Sequence, residues 1–175
     1  MGQNLSELFD VVDEHDRVVG QAPRGEVHAR ELRHRAVHVL VVNARSEVFL
    51  QKRSLAKDTF PGAWDSSASG HLGEGEDYDT TALRELGEEL GWQPAQAPRR
   101  LFKLTACRET GWEFVWVYSV AGEGPFQLQP EEIESGGWFT PVDIDRWVAL
   151  RPEEFATAFV LLWPEARSRL TGHGS

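Results

Sequence analysis

Apolar positions along the chain predict strands in the first half, one amphipathic helix in the middle, and helices at the end. Leu8–Val12 is a short apolar segment, Glu14-His15-Asp16 a turn, and Val18-Val19-Gly20 a second short strand. Residues 25–32 have room for one or two helical turns. Residues 36–43 (AVHVLVVN) are β-branched with little polar interruption, as expected of a central strand buried on both faces. The turn Ala44-Arg45-Ser46-Glu47 then leads into Val48–Arg53, its predicted hairpin partner. Residues 60–75 are rich in Gly, Ser, Pro and Ala and read as an irregular connection.

Helical periodicity begins at Tyr78 and runs to Leu90, with Ala82, Leu83, Leu86 and Leu90 on one stripe. Asp77 or Asp79 suits the N-cap and Gly91 the C-terminal stop. Residues 101–108 and 112–120 read as two further strands. The chain from Pro141 to about residue 171 is predicted helical, with Pro152 at a helix start and Pro164 kinking or ending the last helix. This order fits an α+β or three-layer α/β/α fold with a mixed sheet, and 175 residues suit one domain spanning 1–175.

Composition narrows the setting. A lone cysteine, Cys107, excludes an intrachain disulfide, and no apolar run approaches the roughly 20 residues that span a bilayer. No secretory signal pattern opens the sequence, so a soluble cytoplasmic protein without a membrane partner is expected. Charge is unevenly placed: residues 1–60 carry nine basic and nine acidic residues, so the formal net charge of −10 lies beyond them. Between Asp65 and Gly91 stand eight acidic residues and one basic residue, Arg84. Such a block repels polyanions and argues against a nucleic-acid polymer as partner. It is either a solvated face or a cation site.

Spacing favours the cation site. Glu85, Glu88 and Glu89 stand at i, i+3 and i+4, which puts three carboxylates on one helix face. They lie in the C-terminal half, where the helix dipole also disfavours negative charge. A hard cation such as Mg²⁺ or Mn²⁺ reverses that balance, because it prefers oxygen ligands shared with phosphate. A carbonyl from Ser69 or Gly70 could complete its shell. Arg84 could pair with Glu76 and brace the glycine-rich loop against the helix, a structural role for both.

Taken together, Gly70, Glu76, Arg84-Glu85-Leu86, Glu88-Glu89 and Gly91-Trp92 have the spacing of the Nudix box, unbroken from residue 70 to 92. At usage of about one in fifteen, its seven identities arise by chance roughly once in 10⁸ windows. The chain therefore resembles the Nudix hydrolases. The resemblance implies an α/β/α sandwich, with Glu85, Glu88 and Glu89 as the principal metal ligands and Glu76 as the outer glutamate. It also implies attack of water on a diphosphate in a small nucleoside-diphosphate-type molecule, with metals bridging the phosphates.

A second, looser resemblance rests on Phe9-Asp10-Val11-Val12-Asp13, Leu32-Arg33-His34-Arg35-Ala36, Gln51-Lys52-Arg53-Ser54 and Phe60-Pro61-Gly62-Ala63-Trp64. These pieces are similar to the Nudix branch that includes isopentenyl diphosphate isomerase. That enzyme needs a cysteine just before the Gly-His pair, where this chain has Ser69, and metal-binding histidines. His71 matches one of those, and His28 and His34 lie near two others with spacing one residue off. An isomerase and an inactive nucleotide-binding module are the alternatives to the hydrolase.

Other candidates come from position. Arg53, in register with Phe49 and Gln51, could reach a substrate phosphate or form a surface ion pair. Trp64 precedes the box and His71 lies within it; both are candidates for substrate contact. For the catalytic base, Glu132 and Glu134 sit just before Gly136-Gly137-Trp138, in what reads as a loop. Glu109, Glu113, Glu85 and Glu89 are further choices. His34 and His38 also read simply as polar residues of a strand. Trp-rich surfaces and the first strand could support a homodimer.

Overall fold

The computed structural model describes residues 4–171. A hairpin of β1 (Leu8–Val12) and β2 (Val18–Pro23) opens the chain, followed by the short helix α1 (Arg24–Ala29). Next come β3 (His34–Val42), β4 (Val48–Arg53), β5 (Trp64–Asp65), β6 (Ala68–His71) and the helix α2 (Tyr78–Leu90). Strands β7 (Arg99–Leu104), β8 (Glu113–Ala121) and β9 (Ile133–Phe139) precede α3 (Pro141–Leu150), a 3-10 turn (Pro152–Glu154) and α4 (Thr157–Thr171).

Strand β3 is the centre of a seven-stranded mixed sheet. Along one edge it pairs in parallel with β8 over its whole length, from His34↔Glu113 to Val42↔Ala121. Along the other edge, residues 36–39 pair antiparallel with β6, while β4 joins only at Val42↔Val48. The predicted hairpin therefore exists at its turn, but β4 then leaves β3 and pairs with β9 and β5. Buried Ser67 sits in that divergence: its hydroxyl accepts from Val41 N at 2.7 Å and donates to the Phe49 carbonyl.

Alternation along β3 and β8 sends side chains to two apolar layers. Ala36, Leu40, Val115 and Val117 pack with Ile144 of α3 and Phe159, Leu162 and Trp163 of α4. Val37, Val39, Val41, Tyr118 and Val120 pack with Ala82, Leu86 and Leu90 of α2. This is the expected α/β/α arrangement, with both sheet faces covered. Each fully buried leucine of α2 contributes roughly 1.5–3 kcal/mol of transfer free energy.

Helix α2 has the predicted bounds. The Asp77 carboxylate accepts from Thr80 N at 2.9 Å, and Gly91 takes the left-handed conformation (φ 57°) that closes the last turn. Elsewhere the structure departs from the sequence reading. The irregular 60–75 connection contains β5 and β6, strands of two and four residues, too short to show an alternating pattern. Residues 133–139 form β9 rather than a loop. Pro164 does not end α4, because Phe159, Leu162, Trp163 and Ala166 anchor the helix on both sides of it. Pro152 opens only the 3-10 turn; α3 begins instead at Pro141, behind a Thr140 cap.

Candidate active site

A cavity of about 650 Å³ lies over the junction of β3, β4 and β6, and α2 supplies its acidic wall. Glu85, Glu88 and Glu89 all line it. Their i, i+3, i+4 spacing places them on one face, as the sequence predicts, but they differ in burial. Glu85 and Glu89 are 7% and 3% exposed, while Glu88 is open to solvent.

The Glu89 carboxylate fills the gap where β4 parts from β3. It accepts from Gln51 Nε2 at 2.7 Å and from Ser69 N at 3.2 Å. Burial raises its pKa to about 7, against the opposing pull of Lys57, Gln51 and the Ser69 N–H. Burial likewise pushes Glu85 well above the ordinary carboxylate range; Glu89 adds to the rise and Arg84 opposes it. Gly70 faces Glu85 directly: a Cβ there would stand 2.0 Å from Oε1. Only glycine leaves room for that carboxylate.

Arg84 and Glu76 form the predicted brace. The guanidinium donates to both Glu76 oxygens at 2.9 and 3.0 Å and to the His71 carbonyl at 3.0 Å. It also reaches Glu85 at 2.8 Å and Glu88 at 3.0 Å. Glu76 in turn accepts from Gly73 N at 2.9 Å, so the loop is tied to the helix at both ends.

The remaining candidates separate sharply. Glu132 lines the cavity and is ion-paired with Lys57, a residue the sequence reading missed. Glu134 does not: on β9, two-residue alternation with buried Ile133 turns it to the other face, where Lys52 stands 3.5 Å away. Trp64 packs its ring against Phe139 (5.4 Å) and Trp147 (5.1 Å), outside this cavity. Arg53 lines the cavity, but its guanidinium is turned to Asp65 at 3.2 Å and to the Thr59 carbonyl at 2.9 Å. That is neither a surface ion pair nor an open phosphate ligand. His38, on β3, also lines the cavity, buried with its ring 2.9 Å from Ser66 Oγ.

On the wall opposite α2, His71 joins His28, His34 and Glu113. His71 Nε2 lies 2.8 Å from Glu113 Oε1, and burial lowers the His71 pKa to about 4 although Glu113 pulls it upward. Burial also lowers His28. Glu113, which burial alone would raise, is held well below its usual range by His71 and His34.

Known proteins agree with this architecture. The NUDIX domain model matches residues 32–159. An uncharacterized Nudix hydrolase of Streptomyces coelicolor is 40% identical over 145 residues, covering 81% of this chain and 79% of that protein. Another, from Yersinia pestis, is 37% identical over 143 residues, covering 79% and 75%. A crystal structure from Deinococcus radiodurans shares 32% identity and a TM-score of 0.75, covering 82% of this chain and 90% of that one. The Nudix domain of a Shewanella oneidensis protein, solved with ADP-ribose, shares its fold at 22% identity and a TM-score of 0.62, covering 78% and 87%.

Proposed function

The chain belongs to the Nudix family of hydrolases, and we propose that it is a divalent-metal-dependent pyrophosphohydrolase acting on a small nucleoside-diphosphate-type molecule. One observation carries this reading. Glu85 and Glu89 are buried beside one another in the cavity wall, and both carboxyls are shifted toward protonation by burial. Two such groups are costly to ionise unless a cation joins them. An all-carboxylate donor set fits a hard ion, Mg²⁺ or Mn²⁺.

With that ion bound, charge on the diphosphate oxygens is neutralised and the attacking water is made more acidic. The protein's own groups do the rest. Glu85, Glu88 and Glu89 would hold the ion, and Gly70 leaves the space that Glu85 needs. Gln51 and the Ser69 N–H fix the orientation of Glu89. Arg84 keeps the loop in place without facing substrate as its main partner. Lys57 and Glu132, ion-paired on the cavity lining, would supply positive charge for a bound diphosphate and a carboxylate to accept the proton released by water.

The test is product release from nucleoside diphosphates, ADP-ribose and isopentenyl diphosphate with Mg²⁺ or Mn²⁺, beside Glu89→Gln. Cleavage that needs metal and falls at least about a hundredfold in the variant supports the hydrolase. Formation of dimethylallyl diphosphate without cleavage of any panel member would replace it with the isomerase. Metal-dependent binding of the panel without turnover would replace it with a binding module.

A further inference from the structure

The β1–β2 hairpin stands outside the seven-stranded sheet, as a two-stranded sheet of its own. Such a hairpin has little stability alone and needs something to rest on. One support is apolar, a small cluster of Phe9, Ala22 and Val27. A second is polar and falls on the glycine-rich loop that leads into α2. The Leu8 carbonyl accepts from Glu74 N at 3.0 Å. Two residues on, one oxygen of the Asp10 carboxylate accepts from Gly75 N at 3.1 Å. The other accepts at 3.2 Å from Nε2 of Gln21, its partner across the hairpin. Asp10 is 6% exposed. A carboxylate so buried in a short strand is costly unless donors meet it, and a loop amide is one of the two.

The turn of the hairpin adds another anchor. Asp16 accepts from Tyr78 Oη at 2.8 Å and Arg35 Nε at 2.6 Å, and is ion-paired with Lys103. Tyr78 is the first residue of α2, and the Arg35 and Lys103 cations stand 5.6 and 5.3 Å from its ring centroid. Arg35 also accepts from Leu72 N at 3.1 Å through its carbonyl. The loop is therefore gripped from outside at Leu72, Glu74, Gly75 and Tyr78. What the grip steadies is the brace. Glu76 follows Gly75 directly and bonds Gly73 N, Thr81 Oγ1 and Arg84. The same Arg84 guanidinium reaches Glu85 and Glu88, so Glu76 competes with two of the box carboxylates for one cation. If Glu76 drifts, Arg84 is left to Glu85 and Glu88, and a cation already beside a carboxylate repels an incoming metal ion.

We propose that Asp10 and Asp16 are positioning residues for the carboxylate face of α2: through the loop they keep Arg84 on Glu76 and so leave Glu85 and Glu88 to the metal. This rests on the metal-dependent reading of that face and adds the N-terminal hairpin to its machinery. Neither aspartate lines the cavity. Asp10 acts through the Gly75 backbone, and Asp16 through the first residue of the helix.

The experiment measures Mn²⁺ affinity by titration calorimetry, Tm, and metal-free amide hydrogen exchange across residues 72–78. It compares the full-length wild type with Asp10→Val, Asp10→Asn, Tyr78→Phe and Ile144→Val. Asp10→Val suits a strand but leaves the Gly75 N–H without its acceptor. It should speed exchange at Gly75 at least about tenfold and weaken Mn²⁺ binding about tenfold or more. Asp10→Asn still offers Gly75 an oxygen, and the exposed Gln21 amide can turn its own oxygen to the new NH₂ group. Its affinity should therefore stay within about threefold of wild type. Tyr78→Phe keeps the ring but frees Asp16 from the helix, and should weaken Mn²⁺ about threefold or more. Ile144→Val lowers Tm through the opposite apolar layer and should leave affinity unchanged, which separates positioning from stability. A wild type that binds no Mn²⁺ sinks the metal reading and this proposal with it. A wild type that binds, with Asp10→Val unchanged, Asp10→Asn as weak as Asp10→Val, or Ile144→Val weakened in step with its Tm, overturns this proposal alone. If Asp10→Val does not fold, Tyr78→Phe decides in its place.

Discussion

The acidic wall of the cavity is carried by one helix, whereas the histidine wall is collected from α1, β3, β6 and β8. They also differ in how tightly their ligand atoms gather. The three carboxylates share a helix face without all three gathering within 4.8 Å of one another, whereas the three imidazoles do. Charge accounts for the difference. Like charges on one helix face disfavour close approach; Arg84 bonds Glu85 and Glu88 at 2.8 and 3.0 Å, and Glu88 stays on the solvent side. The imidazoles pack ring against ring, with Phe9 stacked at 5.0 Å on His71 and 5.8 Å on His34. One wall is a local motif carried by a single helix; the other converges through the fold itself.

This contrast has its largest expected consequence in the pH dependence of the metal-free protein. Glu89 has a folded pKa of about 7 against an ordinary 4.5, so the stability it lends is full below about 4.5 and lost as pH rises through 7. His71 has a folded pKa of about 4 against 6.5, so its proton uptake favours the unfolded chain as pH falls from 6.5 toward 4. Each effect is a few kcal/mol, and between about pH 4.5 and 6.5 they oppose one another. Denaturant melts of stripped wild type should therefore show only the difference of these opposed effects, with Glu85, also raised by burial, acting in the direction of Glu89. Relative to wild type, Glu89→Gln should tilt the profile toward loss on the acid side, and His71→Asn toward loss on the alkaline side. Parallel curves for the two variants would erase the distinction between the walls.

A smaller effect separates space from charge on the acidic side. Gly70→Ala inserts a Cβ 2.0 Å from Glu85 Oε1 and should displace that carboxylate. Isothermal titration with Mn²⁺ should show at least about tenfold weaker binding, and stability should fall by about 1–3 kcal/mol. Unaltered Mn²⁺ affinity would mean that Glu85 is not a ligand.

The smallest difference is expected between two neighbouring acids. Glu132→Gln should lower kcat about tenfold to a hundredfold if Glu132 accepts the proton of the attacking water. Glu134→Gln, on the outer face of β9, should leave kcat within about twofold, since a surface change away from the site costs little. Equal losses from both would return the base to an open choice.

Much of the acidic site was legible because its parts are close in sequence. Helical periodicity alone puts Glu85, Glu88 and Glu89 on one face, Asp77 and Gly91 bound the helix, and the Glu76–Arg84 brace spans eight residues. β9 was not legible, because Ser135-Gly136-Gly137 lacks an apolar alternation and is held as a strand by β4. That error misplaced Glu134. Trp64 failed for a related reason: a loop aromatic can face substrate or core, and only Phe139 and Trp147, more than 70 residues away, decide which. Lys57 carried no signal beyond its charge.

What the sequence determined by itself is the α/β/α class, the box, and the helix face that suits a hard cation. These follow from period, caps and spacing, which are properties of neighbouring residues. Tertiary structure alone decided that Glu89 is buried between β4 and β6, that Glu132 reaches the cavity while Glu134 does not, and that His28, His34 and His71 converge on Glu113. Those facts depend on where β4 parts from β3 and on which strands lie beside β3. Long-range pairing fixes such contacts, and the side chains it brings together are distant along the chain.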